Sequence, residues 1–429
     1  MKKRLLITVA LIVSVTFFAV AGGQKEGAAA SGGKKYAGKS MTALFFAASY
    51  ADQAKDISAK FKEETGGTVN VVTFPYLTLY QKEGLALRTG ASDYDAMLVA
   101  CQWDGEFAPY VEDLGPYIKR DNWDTSDIMK NVWDQSGIWN GETTGIPISD
   151  TPYLMGYRTD LVPGGVPKTY DELFKLAAKL NDPAHGFYAF ATPGVKEQFD
   201  GMFMIAQWSL GGRWADKNWN VTINSPETRQ ALDISKEYIK YSDPAALAWG
   251  LPEATAAFLQ GHAAFLLSWP TLGLTTDGDN PDKSKIVGKW ALAQFPYEKT
   301  GITNLSSWDL QIPKAAKNKD MAWDWIKMYT SKTAMLDAFK KYSILAPRTS
   351  FWQDPLLKNS KLAPNGDATA IIWWRIPAGT IAETFVRDAV ANYVSGQWNQ
   401  DQAVQYMQDG FTKTLKENPP PAGVPNNGR

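Results

Sequence analysis

The fold is decided by four consecutive segments of the chain: MTALFFA (41–47), DQAKDISAKFKEET (52–65), TVNVVTF (68–74) and DAMLVA (95–100). The first, third and fourth are short runs of apolar and β-branched residues, which predict buried strands. The second carries apolar residues at helical spacing and stops at Gly66, so it predicts a helix. Strands alternating with helices are typical of an α/β protein whose parallel sheet is covered on both faces.

The ends of these predicted strands indicate where a ligand would bind. Open parallel sheets bind ligands at the carboxyl ends of their strands. In this chain that rule places residues 48–50, 75–76 and 102–104 along one rim of the sheet.

More elements follow in the second half of the chain. Thr169 and Glu172 form a capping box that predicts the start of a helix, and Ser225 followed by Pro226 predicts another. Residues 305–312 predict a strand, and two helices are predicted over 320–330 and 332–341.

The N-terminus resembles a secretory signal. Lys2, Lys3 and Arg4 precede an apolar run, and Ala19-Val20-Ala21 supplies the small residues that a signal peptidase accepts. We therefore predict a signal peptide over 1–21, a flexible tether over 22–35 and an exported protein, with an uncleaved anchor as the alternative. The Pro-rich and Asn-rich end predicts a disordered tail over 421–429.

Scarce residue types exclude several function classes. The 429 residues include two His and one Cys, too few for a zinc ligand set or an internal disulfide, and we predict neither a metal nor a cofactor. Neither His185 nor His262 lies in a nucleophile motif, and no phosphate-binding glycine loop is present. With 44 Lys and Arg against 45 Asp and Glu, no basic excess suggests nucleic acid.

Aromatic residues are abundant: the chain contains 17 Trp, 18 Tyr and 19 Phe. Several Trp stand beside loop-forming and hydrogen-bonding residues rather than within apolar stripes. A sugar offers C–H patches to a flat ring and hydroxyls to planar polar side chains, so this pattern favours a carbohydrate-like ligand. For any single Trp, packing in the core is the ordinary role, and we assign Trp323 and Trp325 to packing.

Several motifs, in order along the chain, resemble a known family. They are Phe61 to Gly66 (FKEETG), Gly145-Ile146-Pro147, PKTYDEL (167–173), AAFLQGHAAF (256–265) and LAPR (345–348). The chain is similar to the extracellular solute-binding proteins of ABC importers, in the maltose-binding-like group that serves sugars and related compounds. It departs from that pattern in lacking a Cys for lipid attachment near the predicted cleavage point.

The resemblance implies an α/β fold of two discontinuous lobes that are joined by hinge crossovers and close on a ligand. Carried onto this chain, lobe one comprises 36–149 and 305–346, and lobe two comprises 150–304 and 347–420. The implied function is non-enzymatic capture of a small carbohydrate or polyol and its delivery to the permease of an ABC importer, by a monomer. A secreted glycoside hydrolase or lyase, and a binding protein for an acidic sugar derivative, remain alternatives.

The candidate ligand-binding residues combine stacking rings with hydrogen-bonding side chains. By its position in the resemblance, Trp269 corresponds to a ligand-stacking Trp, and Trp373 or Trp374 lies near a second aromatic wall. The full set is Tyr50, Tyr76, Gln102, Trp103, Asp104, Asp150, Trp208, Trp269, Trp308, Asp309, Arg348, Trp373, Trp374 and Arg375.

Overall fold

The computed structural model describes residues 34–269, 273–358, 370–372 and 376–421. The predicted signal peptide, most of the tether, residues 422–429 of the tail, and the candidates Trp373, Trp374 and Arg375 lie outside the described residues. Within those ranges, the structure contains no helix long and apolar enough to cross a membrane.

Strands and helices follow one another along the described residues. The strands are β1 (Ser40–Phe46), β2 (Thr68–Phe74), β3 (Ala96–Ala100), β4 (Ile138–Trp139), β5 (Glu142–Thr143), β6 (Ile146–Pro147), β7 (Thr151–Pro152), β8 (Leu154–Arg158), β9 (Tyr188–Ala191), β10 (Ala263–Ser268), β11 (Trp290–Ala293), β12 (Thr303–Ser306), β13 (Trp308–Gln311) and β14 (Ala370–Ile371). The α-helices are α1 (Ser49–Thr65), α2 (Tyr76–Thr89), α3 (Asp104–Phe107), α4 (Gly115–Asp121), α5 (Lys130–Val132), α6 (Tyr170–Leu180), α7 (Phe199–Ser209), α8 (Pro226–Lys240), α9 (Leu251–Leu259), α10 (Leu274–Asp277), α11 (Lys319–Tyr329), α12 (Lys332–Tyr342), α13 (Thr349–Trp352), α14 (Pro355–Lys358), α15 (Gly379–Val394) and α16 (Gln400–Glu417). Other short helical turns are Cys101–Trp103, Ala108–Tyr110, Trp133–Gly137, Pro183–His185, Lys196–Gln198 and Pro244–Ala248.

The first lobe is built on a five-stranded sheet in the order β2-β1-β3-β13-β6. β1 pairs in parallel with β2 and β3, as predicted, and α1 ends at Gly66 with φ 79°, a left-handed conformation that glycine adopts at little cost. β13, which lies in the segment predicted only as a strand, joins this sheet antiparallel to both β3 and β6.

The single strand predicted over 305–312 is two strands, interrupted at Ser307. β12 belongs to a small sheet with β7 and β14, whereas β13 enters the sheet of the first lobe. The chain changes sheets at Ser307, whose carbonyl accepts a hydrogen bond from the Cys101 amide at 3.1 Å. One apolar run therefore serves both as a crossover between the lobes and as a core strand.

The second lobe is built on a four-stranded sheet in the order β11-β8-β10-β9. Helices α6 and α9 contact this sheet, and α7, α8, α15 and α16 pack on one another and share a hydrophobic core with it. The predicted helix starts at 169 and 225 are confirmed, because the side chains of Thr169 and Ser225 accept hydrogen bonds from the amides of Glu172 and Thr228. The core of this lobe includes Phe190, Phe265 and Phe411.

The last passage between the lobes lies later than predicted. Phe351 and Leu357 pack in the core of the first lobe, and the Phe351 ring lies 5.5 Å from that of Phe339 on α12. Ile372 belongs to the core of the second lobe. The boundary expected at 347 is therefore too early, because α13 and α14 extend the first lobe.

The two lobes touch closely beside this passage. At Gly105, an added Cβ would lie 2.6 Å from the Trp139 ring and 2.7 Å from the backbone of Ile376 in the second lobe. Real Cβ atoms do not approach other atoms so closely, so the contact requires a residue without a side chain. The cleft between the lobes is thus bounded at one end by backbone in direct contact.

Candidate ligand-binding site

A cavity of about 380 Å³ lies between the lobes, and both contribute to its walls. This volume is within the usual range of small-molecule sites. The first lobe and the hinge contribute Phe46, Tyr50, Pro75, Tyr76, Leu77, Ala100, Gln102, Thr151, Ser306 and Trp308. The second lobe contributes Glu197, Gln198, Asp200, Leu251, Trp269, Glu383 and Arg387.

The first-lobe side of the cavity is an aromatic wall formed by Phe46, Tyr50, Tyr76 and Trp308. These residues lie at the end of β1 and the starts of α1, α2 and β13; Tyr50 and Tyr76 belong to the predicted rim, whereas Phe46 and Trp308 lie outside it. The Trp308 ring stacks on Phe46 at 5.4 Å and 7°, and meets Tyr76 edge-on at 6.0 Å and 87°. Such stacked and edge-to-face contacts fix the orientation of the rings in the absence of a ligand.

Trp103 supports this wall from behind. Its ring is fully buried and lies 5.0 Å from Tyr76 and 5.7 Å from Trp308. It does not line the cavity. The candidate Trp103 is therefore placed in the packing beneath the wall, because the turn after β3 directs its ring into the first-lobe core.

Hydroxyl and amide groups accompany the rings. Gln102 Nε2 donates a hydrogen bond to Tyr76 Oη at 2.5 Å. Burial raises the pKa of Tyr76 well above its ordinary value, and the nearby Glu383 adds to that shift. Burial also raises the pKa of Tyr50, against the opposing hydrogen bonds of Ser149 and Thr151. Both phenols therefore stay neutral and can donate hydrogen bonds at neutral pH.

Trp269 supplies a ring from the opposite side of the cavity. It follows β10 directly, is partly exposed, and packs on Tyr153 with the ring centroids 4.4 Å apart. Tyr153 in turn stacks on Phe295 at 5.1 Å. The Trp269 ring is thus held by the core of the second lobe while it lines the cavity.

The rest of the second-lobe side carries a charged cluster of Asp200, Glu383 and Arg387. Arg387 Nε donates to Asp200 Oδ2 at 2.6 Å, and its Nη2 lies 2.8 Å from Glu383 Oε1. Burial raises the pKa of Glu383 well above its usual range, with Asp200 adding to the effect and Arg387 opposing it. Two carboxyl groups and one guanidinium are thereby withdrawn from water on the cavity wall.

The structure places five other candidates away from the cavity lining. Successive side chains of a strand point to opposite faces, so Trp308 faces the cavity while Asp309 is buried behind it and accepts a hydrogen bond from Ser136 at 2.6 Å. Asp104 likewise accepts from Gln311 Nε2 at 2.7 Å.

Arg348 does not reach the cavity either. Its Nη2 donates to the carbonyl of Thr330 at 2.7 Å, and its Nη1 donates to Asp127 at 3.4 Å, so the guanidinium fastens the end of α11 to the segment before α5. Trp208 is buried in the second-lobe core, and Asp150 is buried at the hinge, where its amide donates to the Leu345 carbonyl. All five candidates are buried away from the cavity lining.

Sequence reasoning missed the charged cluster. Glu383 and Arg387 stand four residues apart on α15, a spacing that brings side chains together on one helix face. That spacing was the available signal for the pair, but Asp200 is 183 residues earlier than Glu383 and only the packing of α15 on α7 joins them. Among the described residues, no group of three or more His, Cys, Asp or Glu could hold a metal ion.

Comparison with known proteins places the chain among binding proteins of transporters. Residues 38–336 match the family model described as bacterial extracellular solute-binding protein. A probable amino-acid ABC transporter periplasmic-binding protein of Sinorhizobium fredii is 28% identical over 363 residues, which cover 80% of each chain. An erythritol/L-threitol-binding protein of Mycolicibacterium smegmatis is 22% identical over 70% of this chain and 69% of its own.

Solved structures show the same fold at low sequence identity. An ABC transporter solute-binding protein from Agrobacterium radiobacter K84 in complex with ribitol superposes with a TM-score of 0.79 at 24% identity, covering 89% of this chain and all of the other. Another, from Agrobacterium vitis S4 with bound D-mannitol, has a TM-score of 0.75 at 21% identity, covering 90% of this chain and all of the other. Because the family model spans well over half of its length, this chain belongs to the bacterial extracellular solute-binding proteins.

Proposed function

We propose that this protein is exported by its N-terminal signal, captures a small uncharged carbohydrate or polyol in the cavity between its lobes, and delivers it as a monomer to the permease of an ABC importer. The observation that carries the proposal is the composition of the cavity. Aromatic rings from the first lobe face hydrogen-bonding groups from the second across a space of about 380 Å³. Rings suit the C–H faces of a sugar or polyol, and planar polar groups suit its hydroxyls.

The relatives support this choice of ligand class. Structures with the same fold hold ribitol or D-mannitol, and a curated relative is named for erythritol and L-threitol. The relative from Sinorhizobium fredii is named for amino acids, so amino acids belong in any test. The hydrolase and lyase alternatives are set aside, since this family consists of binding proteins of ABC importers rather than enzymes.

The lobes provide the means of capture. The wall rings Tyr50, Tyr76 and Trp308 belong to the first lobe, whereas Trp269 and the charged cluster belong to the second. A hinge motion at β7 and β12 would separate these groups and admit a ligand, and closure would enclose it. We propose Tyr50, Tyr76, Gln102, Trp269 and Trp308 as ligand contacts.

A ligand screen tests the proposal. The purified protein is heated with alditols, aldoses, sugar acids or amino acids in separate wells while Trp fluorescence is followed. A ligand that binds only the folded state at about 100 times its Kd stabilises that state by about 2.7 kcal/mol, so a neutral sugar or polyol should raise the melting temperature clearly. A shift with an amino acid and with no sugar or polyol would overturn the carbohydrate proposal.

A further inference from the structure

Three charged side chains meet on the second-lobe wall of the cavity, and none of them belongs to the ligand-contact set predicted from the sequence. Asp200 lies at the start of α7, and Glu383 and Arg387 lie one turn apart on α15. Asp200 and Glu383 are each 1% exposed and Arg387 is 9% exposed. All three line the cavity, so a ligand in this space would meet them directly.

The positive charge of Arg387 is already committed to protein groups. Its Nε donates to Asp200 at 2.6 Å, while Nη2 contacts Glu383 at 2.8 Å. An anionic ligand that approached this guanidinium would meet the carboxylate of Asp200, which already balances its charge, in a site shielded from water. Like charges brought together in such a place oppose binding strongly, which is how many sites reject the wrong partner.

Glu383 differs from Asp200 in having hydrogen-bonding capacity to spare. Within the described part of the chain, the contacts of its carboxyl group are to the cluster alone, Arg387 Nη2 at 2.8 Å from Oε1 and the Asp200 carboxyl, so its remaining lone pairs are unused although the side chain is almost wholly buried. The charged and titratable groups that face it are Asp200, Arg387 and Tyr76, with the exposed Glu197 nearer the mouth. Burial raises the pKa of Glu383, so it stands as a neutral acid that can both donate and accept.

We propose that the cluster of Asp200, Arg387 and Glu383 is the specificity determinant of the cavity: it hydrogen-bonds the hydroxyls of an uncharged polyhydroxy ligand through Glu383 and rejects anionic derivatives such as sugar acids. The inference rests on the proposed function and narrows its ligand class. The cluster leaves the wall electrically neutral, because Asp200 balances Arg387 and Glu383 keeps its proton. A hydroxyl fits such a wall, whereas the carboxylate of an acidic ligand would bring a second negative charge to a guanidinium that Asp200 already balances.

Matched neutral and acidic probes test this selectivity by isothermal titration calorimetry. The probes are ribitol with ribonate, mannitol with mannonate, and glucose with glucuronate. The unmodified protein should bind the neutral member of a pair at least about tenfold more tightly than the acid, because only the acid brings a negative charge to the cluster. If an acid binds as tightly as its neutral partner, the proposed selectivity is refuted although sugar binding stands.

Isosteric variants assign the roles within the cluster. Asp200→Asn removes the balancing charge from Arg387, so affinity for the acids should rise by about tenfold or more. Glu383→Gln keeps both shape and neutrality, and neutral probes should bind within about threefold of the original affinity, whereas Glu383→Leu should weaken them by about tenfold or more. The control is Asp401→Asn, which makes the same substitution in an exposed Arg–Asp pair with Arg229 on the second-lobe surface, outside the cavity, and should leave the affinity for both neutral and acidic probes unchanged.

The outcomes separate this inference from the proposed function. If no neutral probe binds, the proposed carbohydrate function fails, while the effect of Asp200→Asn on acid binding still decides the role of the cluster. Unchanged acid binding in a folded Asp200→Asn variant overturns the inference. Should that variant not fold, equal binding of neutral probes by Glu383→Gln and Glu383→Leu overturns it instead, because a side chain that contacts ligand hydroxyls cannot be replaced by leucine without loss.

Discussion

The two walls of the cavity are built in opposite ways. The first-lobe wall consists of rings that hold one another: Trp308 lies within 6.0 Å of the rings of Phe46, Tyr50, Tyr76 and Trp103. The second-lobe wall pairs one further ring with a buried charged cluster, and that cluster exists only because α15 packs on α7. The first wall supplies area and shape, and the second supplies charge and hydrogen bonds.

This difference indicates how the two walls respond to substitution. A ring in the first wall is a structural part of its lobe, so its loss should reduce stability and binding together. On the second wall, some groups are partly exposed or have hydrogen-bonding capacity that the protein does not use. Substitution of such a group should reduce ligand affinity more than it reduces stability. Substitutions on each wall can therefore test whether stability and binding change together or separately.

The largest effect is expected for Trp308→Ala. The residue is 7% exposed and stands at the centre of the aromatic wall, so its removal leaves a cavity among four rings. Truncation of a buried Trp typically costs about 3–5 kcal/mol of unfolding free energy, and we expect that loss in urea denaturation. Polyol binding should be lost in the same variant. Trp308→Phe serves as the control, and intact binding by a folded Trp308→Ala protein would show that the wall does not contact the ligand.

Trp269→Ala should affect binding far more than stability. The ring is partly exposed and packs on Tyr153, so we expect a loss of about 1–2 kcal/mol in unfolding free energy. The affinity for a polyol should fall by about tenfold to a hundredfold, because the ligand loses its ring on the second-lobe side. Urea denaturation and calorimetry on one preparation give both numbers. Losses of equal size would assign Trp269 to the core.

Part of the aromatic wall could be predicted from sequence, because Tyr50 and Tyr76 follow strands closely, whereas Phe46 ends β1 and was not among the candidates. β1 to β3 are recognisable as short apolar runs, and the rule for parallel sheets then places Tyr50, Tyr76 and Gln102 on one rim. The rule cannot say which side chain of a turn points outward, so Trp103 and Asp104 were included although both are buried behind the rim.

The charged cluster could not be predicted in the same way. Helical spacing identifies neighbours along one helix, such as Glu383 and Arg387, but Asp200 joins them only through tertiary packing of two helices. Arg348 shows the same limit, since it was a candidate for hydrogen bonding to the ligand, whereas its guanidinium donates to the Thr330 carbonyl and to Asp127. Buried polar residues acquire their partners from the whole fold.

A buried carboxyl in the first lobe offers a test of how charge is tolerated away from the cluster. Glu83 on α2 is fully buried, and the described residues provide no hydrogen bond to either of its oxygens. Burial alone raises its pKa well above the ordinary value. Glu383 is also buried, but Arg387 opposes part of the shift. Glu83 is thus a buried acid with no cation among the causes of its pKa shift, whereas Glu383 is a buried acid beside the cation Arg387.

Glu83→Gln should stabilise the protein at high pH and not at low pH. A pKa raised in the folded state means that the protonated form is favoured there, so its contribution is complete below the unfolded value of about 4.3 and is lost as the pH rises through the raised folded value. At pH 8 the variant should gain on the order of 1–3 kcal/mol of unfolding free energy. Urea denaturation at pH 4 and pH 8 measures the difference in unfolding free energy between the variant and the unmodified protein. A difference independent of pH would mean that Glu83 has the same pKa in the folded and unfolded states. Glu383→Gln should show a smaller pH-dependent gain because Arg387 lies beside it.

The smallest effect is expected for Tyr76→Phe, which tests whether the first wall acts through its ring faces or its hydroxyls. The variant keeps the ring against Trp103 and Trp308 but removes the oxygen that accepts a hydrogen bond from Gln102 at 2.5 Å. Loss of one such bond costs about 0.5–1.5 kcal/mol, so polyol affinity should fall by less than about tenfold, with little change in the melting temperature. Glu383 on the second wall contributes to the raised pKa of the Tyr76 hydroxyl, after burial, so this hydroxyl lies where the two walls approach each other. If Tyr76→Phe weakened binding as severely as Trp308→Ala, hydroxyl groups rather than ring faces would dominate the first wall, and the contrast between the walls would be one of charge alone.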